Sequence, residues 1–244
     1  MDSNKVSIDF AKAWDANQGN FAESIAENII RYAENNNVRL SSVLDICCGA
    51  SNLLGVFNRK GMTCFGTETN KSMIEYSKVK HPDVTYYQTE NMYDVTCKQK
   101  VDLITCTHDI VNCFENFSEW EEFFKSVEKK LNKNGMFVFD FYTKYKLQNW
   151  NETTFETTPT LDCLTNIKSG VYDKTIITYT YFINYTNYYV KTRDITVESY
   201  YENNAIFEAL KKAGFKTIEI VNHNLAPLDN INYAERIHVI ARKK

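Results

Sequence analysis

Val43-Leu44-Asp45-Ile46-Cys47-Cys48-Gly49-Ala50-Ser51-Asn52-Leu53 sets the architecture of this chain. An apolar run ends at an acid and breaks into a tight turn of small residues, and a helical pattern follows. That succession describes a buried parallel strand delivering its C-terminal end to a ligand crevice. The next strand pattern, Met62-Thr63-Cys64-Phe65-Gly66-Thr67, ends at a second acid, Glu68. Its carboxylate falls about 20 residues past the turn, where the ribose hydroxyls of an adenosine cofactor lie in a Rossmann-like half.

The glycines bear on which adenosine cofactor fits. A dinucleotide fingerprint needs three glycines, so that backbone approaches the pyrophosphate and the helix packs tightly on the strand. Only Gly49 is present here, with Cys47 and Ser51 at the flanking small-residue positions. S-adenosylmethionine suits such a turn better. It has no phosphate, a ribose that an acid can grip, and a zwitterionic end that can use backbone amides and carbonyls. A nicotinamide-dependent oxidoreductase stays as a rival without its glycines.

These residues resemble the class I S-adenosylmethionine-dependent methyltransferases, in particular the small-molecule branch with a late antiparallel β insertion. Val43 to Asn52 is similar to the first motif of that family, Gly66 to Ile74 to its second, and Gln88-Thr89-Glu90-Asn91-Met92-Tyr93-Asp94 to its third. Val101 to Asn112 resembles the fourth, and Leu131 to Asp140 the turn and strand of the fifth. Two positions depart from the pattern: Ser51 stands where the family has glycine, and Asn91 where it has an acid, with Glu90 one place early.

The resemblance implies a seven-stranded, mostly parallel Rossmann-like sheet flanked by helices, an α/β fold, built from residues 1–150 and 200–244. Residues 151–199 then form an antiparallel insertion that lids the acceptor site. It also implies cofactor contacts at Trp14, Asp45, Cys47, Gly49, Glu68, Thr69, Met73, Asn91, Met92 and Thr107, with Trp14 in a flap that closes over the cofactor. S-adenosyl-L-homocysteine is the expected product.

The residues themselves leave alternatives open. Asp45 ends a buried strand, where a bare carboxylate is costly, so it should meet the methionine ammonium or the turn amides, or else cap a helix. Glu68 is a ribose acceptor or a solvated strand end. Asn91 and Met92 bracket adenine by hydrogen bond and apolar contact, or are loop polarity and a core methionine. His108 and Asp109 follow the fourth strand at the edge where open α/β sheets bind ligands. His108, with an ordinary pKa near ~6.5, is a candidate base, whereas Asp109 is expected to cap the short helix containing Asn112. Asp140 and Tyr142 are expected on the acceptor side, orienting a cationic or hydroxylated substrate or pairing within their loop.

Length and composition set bounds. The chain has 244 residues, 43% of them hydrophobic, enough for one α/β domain with an insertion. A net charge of −3 gives no sign of a nucleic-acid surface, so the expected partner is a small molecule, and the chain is expected to act as a monomer or homodimer. Seven cysteines without C-x-x-C spacing suggest no metal site and suit a reducing cytosol, with Cys47, Cys64 and Cys106 acting as small apolar residues. No run approaches the ~18 apolar residues of a membrane span, and the first residues lack a signal core, so a cytoplasmic protein is expected.

Pattern gives the elements. Phe21, Ile25 and Ile29 predict a helix before the first strand, and strands are expected near 42–46, 62–67, 84–88, 101–106 and 135–141. Trp120, Phe123, Phe124, Val127 and Leu131 make an apolar stripe on a helix near 119–132, capped by Ser118 and stopped at Asn134-Gly135. Strands at 164–168 and 193–199 flank a hairpin over 175–191, whose tyrosines Tyr179, Tyr181, Tyr185, Tyr188 and Tyr189 either line a pocket or pack a core. A helix ending at Gly214 and strands at 216–221 and 237–241 close the chain. The function so read is methyl transfer to nitrogen or oxygen of a small molecule. RNA or protein methylation and a non-catalytic cofactor-binding module are the alternatives.

Overall fold

The structure is a computed structural model that describes residues 3–172 and 174–243. A 33-residue helix, α1 (Ser3–Asn35), leads into β1 (Ser42–Ile46), α2 (Asn52–Arg59), β2 (Thr63–Glu68), α3 (Lys71–Lys80), β3 (Thr85–Gln88) and β4 (Val101–Cys106). A 3₁₀ turn (Ile110–Cys113), α4 (Phe117–Lys130), β5 (Leu131–Tyr142) and the short α5 (Lys144–Leu147) follow. Four strands come next: β6 (Glu152–Thr157), β7 (Leu161–Val171), β8 (Lys174–Asn184) and β9 (Tyr189–Glu198). The chain closes with α6 (Asn203–Ala213), β10 (Thr217–Val221) and β11 (Arg236–Arg242).

The main sheet has the order β10-β11-β5-β4-β1-β2-β3. Strands β1 to β5 run parallel, whereas β11 is antiparallel to both β5 and β10. The order reverses between β1 and β4, so a crevice opens beyond their C-terminal ends at the topological switch point. β1 is buried along its whole length, as its unbroken apolar run requires. Its alternation divides the core. Leu44 and Ile46 pack with Ile104, Phe137, Phe139 and the stripe of α4 on one face. Val43 packs with Leu103, Val138, Ile25 and Ile29 on the other.

Several local expectations are corrected. α4 begins at Phe117 with Asn116 as its cap, accepting from the Glu119 amide at 3.3 Å, while Ser118 donates its hydroxyl to Asn116. The helix stops at Lys130, because Leu131 already pairs with Val101 in the sheet, and the left-handed Asn134 turns the chain inside β5. The flap segment around Trp14 and the helix of Phe21 are one continuous α1.

The second sheet, β6-β7-β8-β9, is antiparallel throughout. β6 escapes sequence reading because all six of its residues are exposed on the sheet edge, leaving no inward face to make a pattern. Of the hairpin tyrosines, Tyr181 is fully buried against Phe10, Tyr185 and Tyr188 stack on each other at the turn, and Tyr189 is exposed. Tyr179 lines a cavity between the two sheets.

Candidate active site

The turn after β1 is wound tightly. Cys47, Gly49 and Ser51 all have left-handed backbones, at φ of 54°, 50° and 61°. Glu68, at the end of β2, is buried and clasps this turn: one oxygen accepts from the Gly49 amide at 3.0 Å, and the other from the Asn70 amide at 2.8 Å and the Thr69 hydroxyl at 3.3 Å. A side chain at Gly49 would place its Cβ 3.0 Å from the Trp14 indole, so that ring lies directly on the turn. α1 is fastened there by Asp15, which accepts from Tyr76 and Lys80, both at 2.7 Å, and from Asn52 at 2.5 Å.

Asp45 is buried and meets neither the turn amides nor a helix terminus. Its partner is the Thr105 hydroxyl on β4, at 2.7 Å. Burial raises its carboxyl pKa to about 7, with Thr105 opposing and the charge of Glu68 adding to the shift. An unfolded aspartate titrates near ~4. Between that value and about 7 the folded state holds the extra proton, so stability falls as pH rises through this window, by at most about 1.4 kcal/mol per pH unit. Asp45→Asn, which cannot ionise, is expected to lack that decline in urea denaturation across pH 4 to 7; an unchanged slope contradicts the raised carboxyl.

Two cavities lie beside Trp14 and Met92; Asp45, Cys47, Gly49 and Glu68 line neither of them. The smaller, of about 510 Å³, is lined by Thr69, Glu90, Asn91, Met92, Tyr93, Phe114 and Glu119. The larger, of about 770 Å³, has Trp14, Gln18, Phe21, His108, Asp109, Tyr142 and Arg236 on the side of the main sheet, with Tyr179 and Asp194 to Val197 contributed by the second sheet. Met92, Cys113 and Glu115 border both. The Cys47 thiol donates to the Met92 carbonyl at 3.4 Å, which ties the β1 turn to this partition. Met73 and Thr107 are buried and line neither cavity.

His108 is left-handed at φ 64°, and its ring packs 4.3 Å from Phe21 and 5.7 Å from Trp14. Burial lowers its pKa against the opposing pull of Asp109 and Asp140, and its buried Nε2 has no partner among the described residues. Burial thus favours the neutral imidazole, and its Nε2 is left free. Tyr142 keeps its proton, because burial pushes its hydroxyl to about 12.

Asp109 and Asp140 differ from expectation. Asp109 does not cap the 3₁₀ turn, since no side-chain cap bond forms there. Its carboxylate takes one arm of the Arg236 guanidinium, and Asp140 takes the other. Asp140 is fully buried and lines neither cavity. Its Oδ2 also accepts from the Asp109 amide at 3.2 Å. The Arg236 guanidinium lies 4.0 Å over the Tyr142 ring and 5.1 Å over Phe21. Asn112 braces the same corner. Its side chain bonds both the amide and the carbonyl of Tyr142 and the Ser199 carbonyl, at 2.9 to 3.0 Å, which locks the ends of β5 and β9 to the 3₁₀ turn.

Sequence reasoning passed over Arg236, Asp194 and Glu198. Arg236 directly precedes the apolar run of β11, and a charge abutting a buried strand is the available signal. Asp194, Thr196 and Glu198 alternate along β9, a polar row on a strand that needs one face buried.

A family profile described as a methyltransferase domain matches residues 18–220, and the chain belongs to that family. The class is that of the S-adenosylmethionine-dependent methyltransferases of the class I fold, with S-adenosylmethionine as cofactor. Among solved structures, a S-adenosylmethionine-dependent methyltransferase from Clostridium acetobutylicum superposes with a TM-score of 0.81 at 20% identity, over 90% of this chain and 91% of that one. DesVI from Streptomyces venezuelae gives 0.80 at 16% identity over 96% and 98%. CalS10, an amino pentose methyltransferase from Micromonospora echinaspora, gives 0.73 at 14% identity over 94% and 95%. Identities this low make the likeness one of fold. No curated protein matches the chain in sequence. Among the described residues, no helix is long and apolar enough to cross a membrane.

Proposed function

We propose that this enzyme methylates a nitrogen or oxygen atom of a small molecule held in the larger cavity. The supporting observation is a volume of about 770 Å³, in the usual range for small-molecule sites, that shares a wall at Met92 and Cys113 with the smaller cavity beside Thr69 and Asn91. The insertion, residues 151–199, supplies β9 as the lid of that space. Covering it excludes water from the reacting centre. A neighbour of the same fold is named as an amino pentose methyltransferase, which agrees with a small polar acceptor.

The chain's residues fit the cofactor. Asp45 is a buried carboxylate with one hydroxyl for a partner, short of the positive charge that a methionine ammonium carries. We assign Glu68, with Thr69, to the ribose, and Asn91 with Met92 to adenine. Asp45, Cys47 and Gly49 take the amino-acid end beneath Trp14, and Met73 and Thr107 support the walls from behind. The bound sulfonium supplies an already activated methyl, so the protein's task is chiefly alignment. His108 faces the acceptor as a neutral imidazole and takes its proton, while the Tyr142 hydroxyl orients it. Seven unpaired thiols among the described residues suit a reducing compartment, and we place the enzyme in the cytosol.

Release of S-adenosylhomocysteine across a panel of small amines and alcohols tests this function. With any acceptor found, His108→Ala is expected to lower kcat by about 100-fold or more, and a loss below about tenfold removes it as the base.

A further inference from the structure

β9 is the last strand of the second sheet and pairs within it on one side only, with β8. Asp194, Ile195, Thr196 and Val197 all line the larger cavity. Successive side chains of a strand point to opposite faces, so four residues in a row border one space only where the strand turns its edge to it. The wall of the cavity here is backbone.

The hydrogen-bond phase identifies the groups on that edge. The Tyr185 amide donates to the Tyr188 carbonyl across the hairpin turn, and the register runs unbroken from Asn184 with Tyr189 to Thr175 with Glu198. Residues bonded to β8 therefore alternate with residues whose amide and carbonyl point away from it, and Ile195, Val197 and Ser199 belong to the second set. Ser199 shows the direction. Its amide donates to the Asn112 carbonyl at 2.7 Å, and its carbonyl accepts from the Asn112 side chain at 3.0 Å. No such partner meets the amide or carbonyl of Val197 among the described residues, whereas the Ile195 amide has the Asp194 carboxylate beside it. Val197 thus presents a donor and an acceptor side by side, the pair that one residue of an added antiparallel strand satisfies.

Lys174 stands beyond the Glu198 end of this edge, because Thr175 is the partner of Glu198, and it lines the same cavity. Its ammonium donates to the Glu115 carbonyl at 3.1 Å, and no acid among the described residues pairs with it. The Arg236 guanidinium, by contrast, is held between Asp109 and Asp140. Asp194 lies on the far side of Val197 from Lys174. A free strand edge takes up extended chains through main-chain bonds, and an ammonium without a counter-ion favours a carboxylate.

Building on the methyltransferase reading above, we propose that the acceptor is a short peptide with a free C-terminal carboxylate. One of its residues exchanges both main-chain hydrogen bonds with Val197, which extends the second sheet by a strand, and its carboxylate pairs with Lys174. An acceptor without a secondary amide leaves the Val197 groups to water.

Calorimetry on the full chain saturated with S-adenosylhomocysteine tests this with trialanine and Ala-Phe-Ala. Each is compared with its C-terminal amide and with two depsipeptides, in each of which one amide N–H is replaced by an ester oxygen. At least one peptide is expected to bind, with its C-terminal amide and at least one of its depsipeptides at least fivefold weaker. Val197→Pro removes the outward N–H without touching a ladder bond, an orientation in which a strand edge tolerates proline. It is expected to weaken the peptide at least fivefold and to leave S-adenosylhomocysteine binding unchanged. Lys174→Ala is expected to abolish the difference between the acid and its C-terminal amide. Should Val197→Pro not fold, the depsipeptides read the same bonds from the ligand. The proposal is overturned by no binding of either peptide, by N-acetylglucosamine binding more tightly than both, or by depsipeptides or a C-terminal amide that match the parent. Wild-type peptide affinity in folded Val197→Pro, or a preference for the acid that survives Lys174→Ala, overturns it equally. The first titration separates the two readings. Failure of S-adenosylhomocysteine itself to bind removes the methyltransferase site, whereas its binding without peptide binding removes only the present proposal.

Discussion

Arg236→Ala is expected to cost about 3–5 kcal/mol of stability, the range for breaking a buried ion pair from one side. The substitution leaves Asp140, with no exposure to solvent, and Asp109 next to each other without the guanidinium that bridges them. A domain typically has ~5–15 kcal/mol in total, so the loss is a large fraction of the whole. At ~2–4 °C per kcal/mol for a chain of this size, the melting temperature falls by roughly 6–20 °C. Arg236→Lys is expected to recover only part, since an ammonium is a point charge and cannot fork across two carboxylates. Lys144→Ala is the control. Its pair with Glu202 lies at the surface, and its loss is expected to leave the melting temperature unchanged. Equal melting of wild type and Arg236→Ala contradicts the buried bridge.

Glu68→Ala is expected to weaken S-adenosylmethionine binding by about 1.5–3 kcal/mol, the range for hydrogen bonds to a charged group, or roughly 10- to 150-fold. Two effects combine. On the proposed assignment the ribose loses its acceptor, and the Gly49 and Asn70 amides lose the carboxylate that holds the β1 turn in its left-handed path. Glu68→Gln keeps an acceptor oxygen without the charge and is expected to fall between wild type and alanine. Titration of each variant with S-adenosylmethionine reads the difference, and unchanged affinity in Glu68→Ala removes the ribose role.

The main sheet was legible because its central strands are buried on both faces. The run Val43 to Ile46 and its counterparts in β2, β4 and β5 leave little choice of conformation, and their observed limits lie close to those expected from pattern. The turn at Gly49 and the acid at Glu68 were legible from spacing, since chain distance along a β-α-β unit fixes where the second strand ends. What escaped depended on long-range pairing. Arg236 reaches Asp109 and Asp140 across the antiparallel pairing of β11 with β5, and nothing near any of the three positions announces that meeting. For the same reason the local pattern makes Asp109 a cap and leaves Asp140 between an acceptor-side residue and a loop pair. Local chemistry offered each a plausible role, and a distant guanidinium outweighed it. Glu198 was hidden differently, as one polar member of an alternating strand that is buried at its end.

A crystal structure of the protein with S-adenosylhomocysteine locates the adenosyl group. The ribose hydroxyls should lie within hydrogen-bond distance of the Glu68 carboxylate, with adenine between Asn91 and Met92 and the amino-acid end under Trp14. Density for the nucleoside anywhere else, or a Glu68 carboxylate still wholly occupied by the β1 turn with no ribose against it, contradicts the assignment.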